Sequence, residues 1–119
     1  MTTPPRIALA TLAAALSPLV FAHATVVSSF PAKGEELAGA PNEIHLTFSE
    51  RVDPRGCRIK LVSSAGKNFD ADRPHADKVS PTTLVAAVPV LRPGNYRARW
   101  VCTGGDGKKL RGDFTFSVK

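Results

Sequence analysis

The residue best placed to do chemistry is a histidine that export would turn into a first residue. The chain opens MTTPPR, continues through the apolar run IALATLAAALSPLVF and reaches Ala22-His23. One arginine ahead of about 15 apolar residues, with Val20 and Ala22 before the junction, is the layout of a secretory signal peptide cut after Ala22. Such a cut gives His23 a free α-amine beside its imidazole. Two nitrogens on one residue form a metal chelate without folding to bring them together. The apolar run is short of the roughly 20 residues of a membrane span, and Pro4, Pro5 and Pro18 oppose a long anchoring helix. Residues 1–22 are therefore read as a leader. Residues 23–119 are read as one domain of 97 residues, large enough for one core and too small for two.

That domain has to hold its chemistry on strands. In Glu43–Ser49, Ile44, Leu46 and Phe48 alternate with His45 and Thr47, a period of two that buries one face. In Cys57–Val62, Cys57, Ile59 and Leu61 alternate with Arg58 and Lys60. Tyr96, Ala98, Trp100 and Cys102 alternate with Arg97, Arg99 and Val101. The last strand sets Phe114, Phe116 and Val118 against Asp113, Thr115 and Ser117. Thr83–Val88 is apolar throughout, as a strand covered on both sides would be. Thr25–Ser29 is a weaker first strand, and the polar stretch Ser63–Pro81 has room for one more edge strand.

Turn residues separate these runs: Pro31-Ala32-Lys33-Gly34, Ala40-Pro41-Asn42, Asp53-Pro54-Arg55-Gly56, Arg92-Pro93-Gly94-Asn95 and Gly104-Gly105-Asp106-Gly107. No helical period of useful length occurs. Six to seven short strands in so few residues predict an all-β, Greek-key antiparallel sandwich.

Parity points both Cys57 and Cys102 inward from different strands. In an exported chain that favours a disulfide in the interior near Trp100, closing a loop of about 45 residues. Two buried free thiols, or Cys102 as a soft metal ligand, are the alternatives. The whole chain carries 16 Lys and Arg against 10 Asp and Glu, and losing Arg6 with the leader leaves a net charge of about +5. The cations are scattered, apart from a small knot at Lys108, Lys109 and Arg111, and aromatic stacking platforms are lacking. Nucleic acid is therefore not an expected partner. The sequence leaves room for a basic face that touches anionic lipid or an acidic protein.

The segment His23-Ala-Thr-Val-Val-Ser-Ser-Phe-Pro-Ala-Lys-Gly-Glu35, followed by Ala-Pro-Asn-Glu-Ile-His-Leu-Thr-Phe-Ser-Glu50, resembles the opening of the CopC/PcoC periplasmic copper-resistance proteins. The ending resembles them too: Leu-Arg-Pro-Gly-Asn-Tyr96-Arg-Ala-Arg-Trp100, a polar loop with Asp106, then Gly112-Asp-Phe-Thr-Phe-Ser-Val118. The resemblance implies a Greek-key β-sandwich of cupredoxin-like or immunoglobulin-like shape. It also implies Cu(II) binding by the amino-terminal histidine together with an Asp-x-His motif before the last strand. Carried across, the ligands fall on His23 and Asp106, but the motif histidine falls on Lys108.

A protonated lysine has three donors and no lone pair for Cu(II). Its charge beside Asp106 could instead replace the metal. Some relatives hold Cu(I) through methionines. Here Met1 is the one methionine and it lies in the leader, so a Met-rich Cu(I) site is not expected. His75 could add a ligand if its loop folds toward the amino terminus, whereas His45 reads as a surface residue.

The expected function is a periplasmic, monomeric carrier or buffer of Cu(II) in copper resistance, with a weakened site and a membrane copper transporter as partner. The alternative is a metal-free sandwich that kept the fold as an interaction module. Neither a nucleophile–base set nor paired catalytic acids can be found, so an enzyme is not expected.

Overall fold

The structure, a computed structural model, describes residues 24–104 and 107–119. In chain order the strands are β1 (Val26–Phe30), β2 (Glu36–Leu37), β3 (Glu43–Phe48), β4 (Cys57–Ser63), β5 (Asn68–Asp70), β6 (His75–Ala76), β7 (Thr83–Ala87), β8 (Gly94–Thr103) and β9 (Lys109–Val118). A 3-10 turn over Pro54–Gly56 leads into β4. The strands form two sheets, β1-β3-β7-β6 and β2-β9-β8-β4-β5. All pairings are antiparallel except β2 with β9. The polar stretch 63–81 holds two short edge strands, β5 and β6, where one had room in the sequence reading.

The alternating residues meet between the sheets. Ile44, Leu46 and Phe48 of β3 and Leu84 and Ala86 of β7 face Ile59, Leu61, Ala98, Phe114 and Phe116 across the interior. Each of these is nearly devoid of solvent contact, so each Ile, Leu and Phe contributes on the order of 1.5–3 kcal/mol of burial and each alanine methyl about 0.8 kcal/mol. Tyr96 stacks on Phe116 with ring centroids 5.6 Å apart, and its hydroxyl donates to the Arg92 carbonyl at 2.6 Å. Phe48 meets Trp100 edge-on at 5.4 Å, which ties the two sheets together.

Cys57 and Cys102 stand opposite each other in the β4–β8 register and are joined by a disulfide. The bond is inward-facing, as parity predicts, and it links neighbouring strands of one sheet. The free-thiol and metal-ligand readings of Cys102 therefore fall away.

Two glycines are required by close approach. Gly112 lies opposite Trp100, and a Cβ there would fall 2.7 Å from the indole ring. A Cβ on Gly56 would fall 2.7 Å from the Thr103 carbonyl oxygen, so the 3-10 turn seats directly against the end of β8.

Candidate metal centre

Three segments gather at one end of the sandwich. The first is the start of β1. Val26 stands opposite Phe48, with an irregularity in the register before Ser28. Beyond it, the Thr25 N–H donates to Ser49 Oγ at 3.0 Å and the Ser49 N–H donates to the Thr25 carbonyl at 2.7 Å. Ala24 and Val26 also pack against the core. The chain entering β1 is thus pinned beside the end of β3.

The second segment is the crossing from β3 to β4. Glu50 follows Ser49 and is exposed. Asp53 is already engaged: its carboxylate accepts from the Arg55 backbone N–H at 2.9 Å and from the Arg55 guanidinium at 3.1 and 2.9 Å. The guanidinium bonds first, then the backbone bond, hold its carboxyl below the ordinary value of 3.8. Asp53 acts as the cap of the 3-10 turn, which leaves Glu50 as the available carboxylate of this crossing.

The third segment is the β8–β9 hairpin. The Gly104 N–H donates to the Lys108 carbonyl at 2.7 Å and the Gly107 N–H to the Gly104 carbonyl at 2.9 Å. Gly107 takes φ 83°, a left-handed value suited to glycine. The crossing enters β4 at Cys57, opposite Cys102 near this hairpin, so the hairpin lies at the end of the sandwich where Thr25 is pinned.

His23 and Asp106, the two ligands expected from the sequence, lie outside the described residues. Lys108 is exposed on the hairpin. His75 is on β6, the edge of its sheet opposite to β1. Three strand spacings of about 4.8 Å separate these edges, roughly 14 Å. His75 and His45 both stand opposite Val85, one from each side, on the outward face. His45 Nε2 lies 2.9 Å from Glu43 Oε1, and its ring meets Phe30 edge-on at 5.7 Å. The structure therefore groups His75 with His45 rather than with the start of β1. Among the described residues, no three His, Cys, Asp or Glu side chains are grouped closely enough to hold a metal ion.

Glu50 is a carboxylate that residue types alone did not single out. Its signal was positional. Because β1 pairs antiparallel with β3, Ser49 just past β3 lies beside the start of β1, and Glu50 follows it in the chain.

Residues 26–119 match the family described as the CopC domain. The chain belongs to the CopC family. Among curated relatives, Protein YobA of Escherichia coli K12 is 35% identical over 118 residues, covering 96% of this chain and 94% of that protein. Copper resistance protein C of Pseudomonas syringae pv. tomato is 34% identical over 111 residues, covering 87% and 86%. Among solved structures, CopC from Methylosinus trichosporium OB3b superposes with a TM-score of 0.71 at 25% identity, covering 82% of this chain and 94% of that one. PcoC, a methionine-rich copper resistance protein from Escherichia coli, gives 0.68 at 28% identity, covering 82% and 100%. The CopC fold is thus shared along the sandwich, while the methionine content that describes PcoC is missing beyond Met1.

Proposed function

We propose that the exported chain is a periplasmic copper-binding protein, a Cu(II) carrier or buffer in copper resistance or homeostasis. Membership of the CopC family and similarity to proteins named for copper resistance support the reading. The observation that carries it is the double backbone and hydroxyl link between Thr25 and Ser49. It holds the chain at the end of the sandwich shared by Glu50 and the hairpin that contains Asp106. Cleavage after Ala22 would place the His23 amine and imidazole two residues before that link.

Nitrogen and oxygen donors in a square arrangement suit Cu(II). In this reading the His23 amine and imidazole supply two corners, and the Asp106 and Glu50 carboxylates supply oxygens, with water or the Ala24 amide completing the set. Lys108 replaces an imidazole with a cation, so binding is looser and exchange faster, which suits a carrier that hands copper to a membrane transporter. No thioether Cu(I) site is proposed, and no catalysis.

The test begins with the mass of the exported protein, which fixes its first residue. Calorimetry and electron spin resonance on that species are expected to show one Cu(II) per chain. His23→Ala is expected to lose more than the roughly 10–100-fold typical of outer-shell changes. Lys108→His is expected to tighten binding. A second reading, a metal-free interaction module, rests on Lys108. It is favoured if the native protein shows no saturable binding and Lys108→His alone creates it.

A further inference from the structure

The outward face of the five-stranded sheet is strongly basic. Strand parity puts Arg58 and Lys60 of β4, Arg97 and Arg99 of β8, and Lys109 and Arg111 of β9 on it, all exposed. Three carboxylates line the depression over the face: Asp70 pairs with Lys60 at 3.9 Å, Asp113 pairs with Arg97 at 3.1 Å, and Asp72 lies beside Arg73 at its margin. Among the described residues no carboxylate lies within ion-pair distance of Arg58, Arg99 or Arg111. Lys60 stands directly opposite Arg99 in the register, in a row closed by Asp70 on one side and Asp113 on the other. Like charges directly opposite destabilise a sheet, and the two carboxylates of the row offset only part of that cost for six exposed cations. A shallow depression of about 1000 Å³ runs over this face, with half-buried Val101 and strand backbone among its walls and Arg73 at its margin.

We propose that this face binds an extended acidic segment of a partner protein. Within each of β4, β8 and β9 the cations recur every second residue, about 6.6–6.8 Å apart. An extended peptide with Asp or Glu at alternate positions presents carboxylates at the same spacing. Guanidinium groups take carboxylates bidentately, and they give up hydration more readily than ammonium groups.

A membrane fits this face less well. The exposed large apolar residues Val27, Phe30, Val79 and Val90 are all elsewhere, on β1 and on loops outside the five-stranded sheet. The face is recessed, and Asp70 and Asp113 would confront an anionic headgroup plane. A peptide can set its carboxylates between these and Asp72. The proposal does not depend on copper binding.

The test is fluorescence anisotropy of the exported protein with a labelled peptide alternating Glu and Thr, beside a Gln–Thr peptide as control. Binding to the acidic peptide alone is expected, weakening as salt shortens the Debye length toward about 8 Å. Arg99→Glu with Arg111→Glu is expected to lose about tenfold or more in affinity. Lys78→Glu with Arg92→Glu makes the same change of net charge off the face and is expected to stay within about twofold. Equal losses in the two pairs would reduce the effect to net charge and overturn the proposal. So would failure to bind the acidic peptide, or capture of phosphatidylglycerol vesicles that the peptide does not displace. If charge reversal disturbs folding by circular dichroism, Arg99→Gln with Arg111→Gln carries the same comparison against Lys78→Gln with Arg92→Gln.

Discussion

The two sheets of this sandwich do different jobs with the same alternating code. The five-stranded sheet has the two ten-residue strands, β8 and β9, and the disulfide between β4 and β8. The four-stranded sheet has no strand longer than six residues, and its first strand is fastened at its outer end by Thr25 and Ser49. One sheet is a cross-linked slab, while the other positions a chain end. The lesson is that stability and the placing of the terminus can be separated in this fold, because the groups that fix the slab are not those that hold the terminus.

The largest expected break in that comparison comes from the slab. Replacing Cys57 and Cys102 together with alanine should cost about 2–5 kcal/mol. A thermal melt should show Tm falling by about 10 °C or more. Copper stoichiometry below that Tm should be unchanged. Next comes Gly112→Ala, which drives a methyl into the Trp100 indole from 2.7 Å. It should cost about 1–3 kcal/mol, and the fluorescence of this sole tryptophan should report the displaced ring.

The working end should respond the other way round. Ser49→Ala removes the hydroxyl that accepts the Thr25 N–H at 3.0 Å. Its stability cost should be only about 0.5–1.5 kcal/mol, yet Cu(II) affinity measured by calorimetry should fall several-fold. If affinity holds while stability drops, the terminus is not positioned by this link and the comparison fails.

The smallest effect belongs to Asp77, whose carboxylate accepts from the Val79 and Ser80 N–H groups at 3.1 and 3.0 Å. The bond from Ser80, then that from Val79, lowers its carboxyl below the ordinary 3.8, with minor help from His45 and His75. A lowered folded value means the contribution is complete above the unfolded value and is lost as pH falls through the folded one. Asp77→Ala should therefore melt slightly below the native protein at neutral pH, with the two curves converging in strong acid.

Much of this molecule could be read from the chain because its interior obeys one period. Ile44, Leu46 and Phe48 announce their buried face by alternation, and so do Cys57, Ile59 and Leu61. Parity pointed both cysteines inward, and the β4–β8 register sets them opposite each other. The edge strands β2 and β6 were less legible. Two residues cannot display a period, and their pairing depends on what β9 and β7 offer.

Thr83–Ala86 is covered on both sides, as its continuous apolar character suggested, although Val85 is covered on the outward face, in register between His45 and His75. Residue types could nominate site candidates but could not place them. Types marked His23, Asp106 and His75 as candidates, but only the antiparallel register sets Ser49 beside the start of β1 and His75 on the far edge.

The order of strands in the larger sheet also bears on biogenesis. β9 is an interior strand, flanked by β2 from early in the chain and β8 from late in it. That sheet cannot close until the residues through Val118 have been synthesised, and the many pairings distant in sequence make closure slow, on the millisecond-to-second scale of β-sandwiches. A nascent polypeptide of this kind therefore stays without its larger sheet until its last strand has been made.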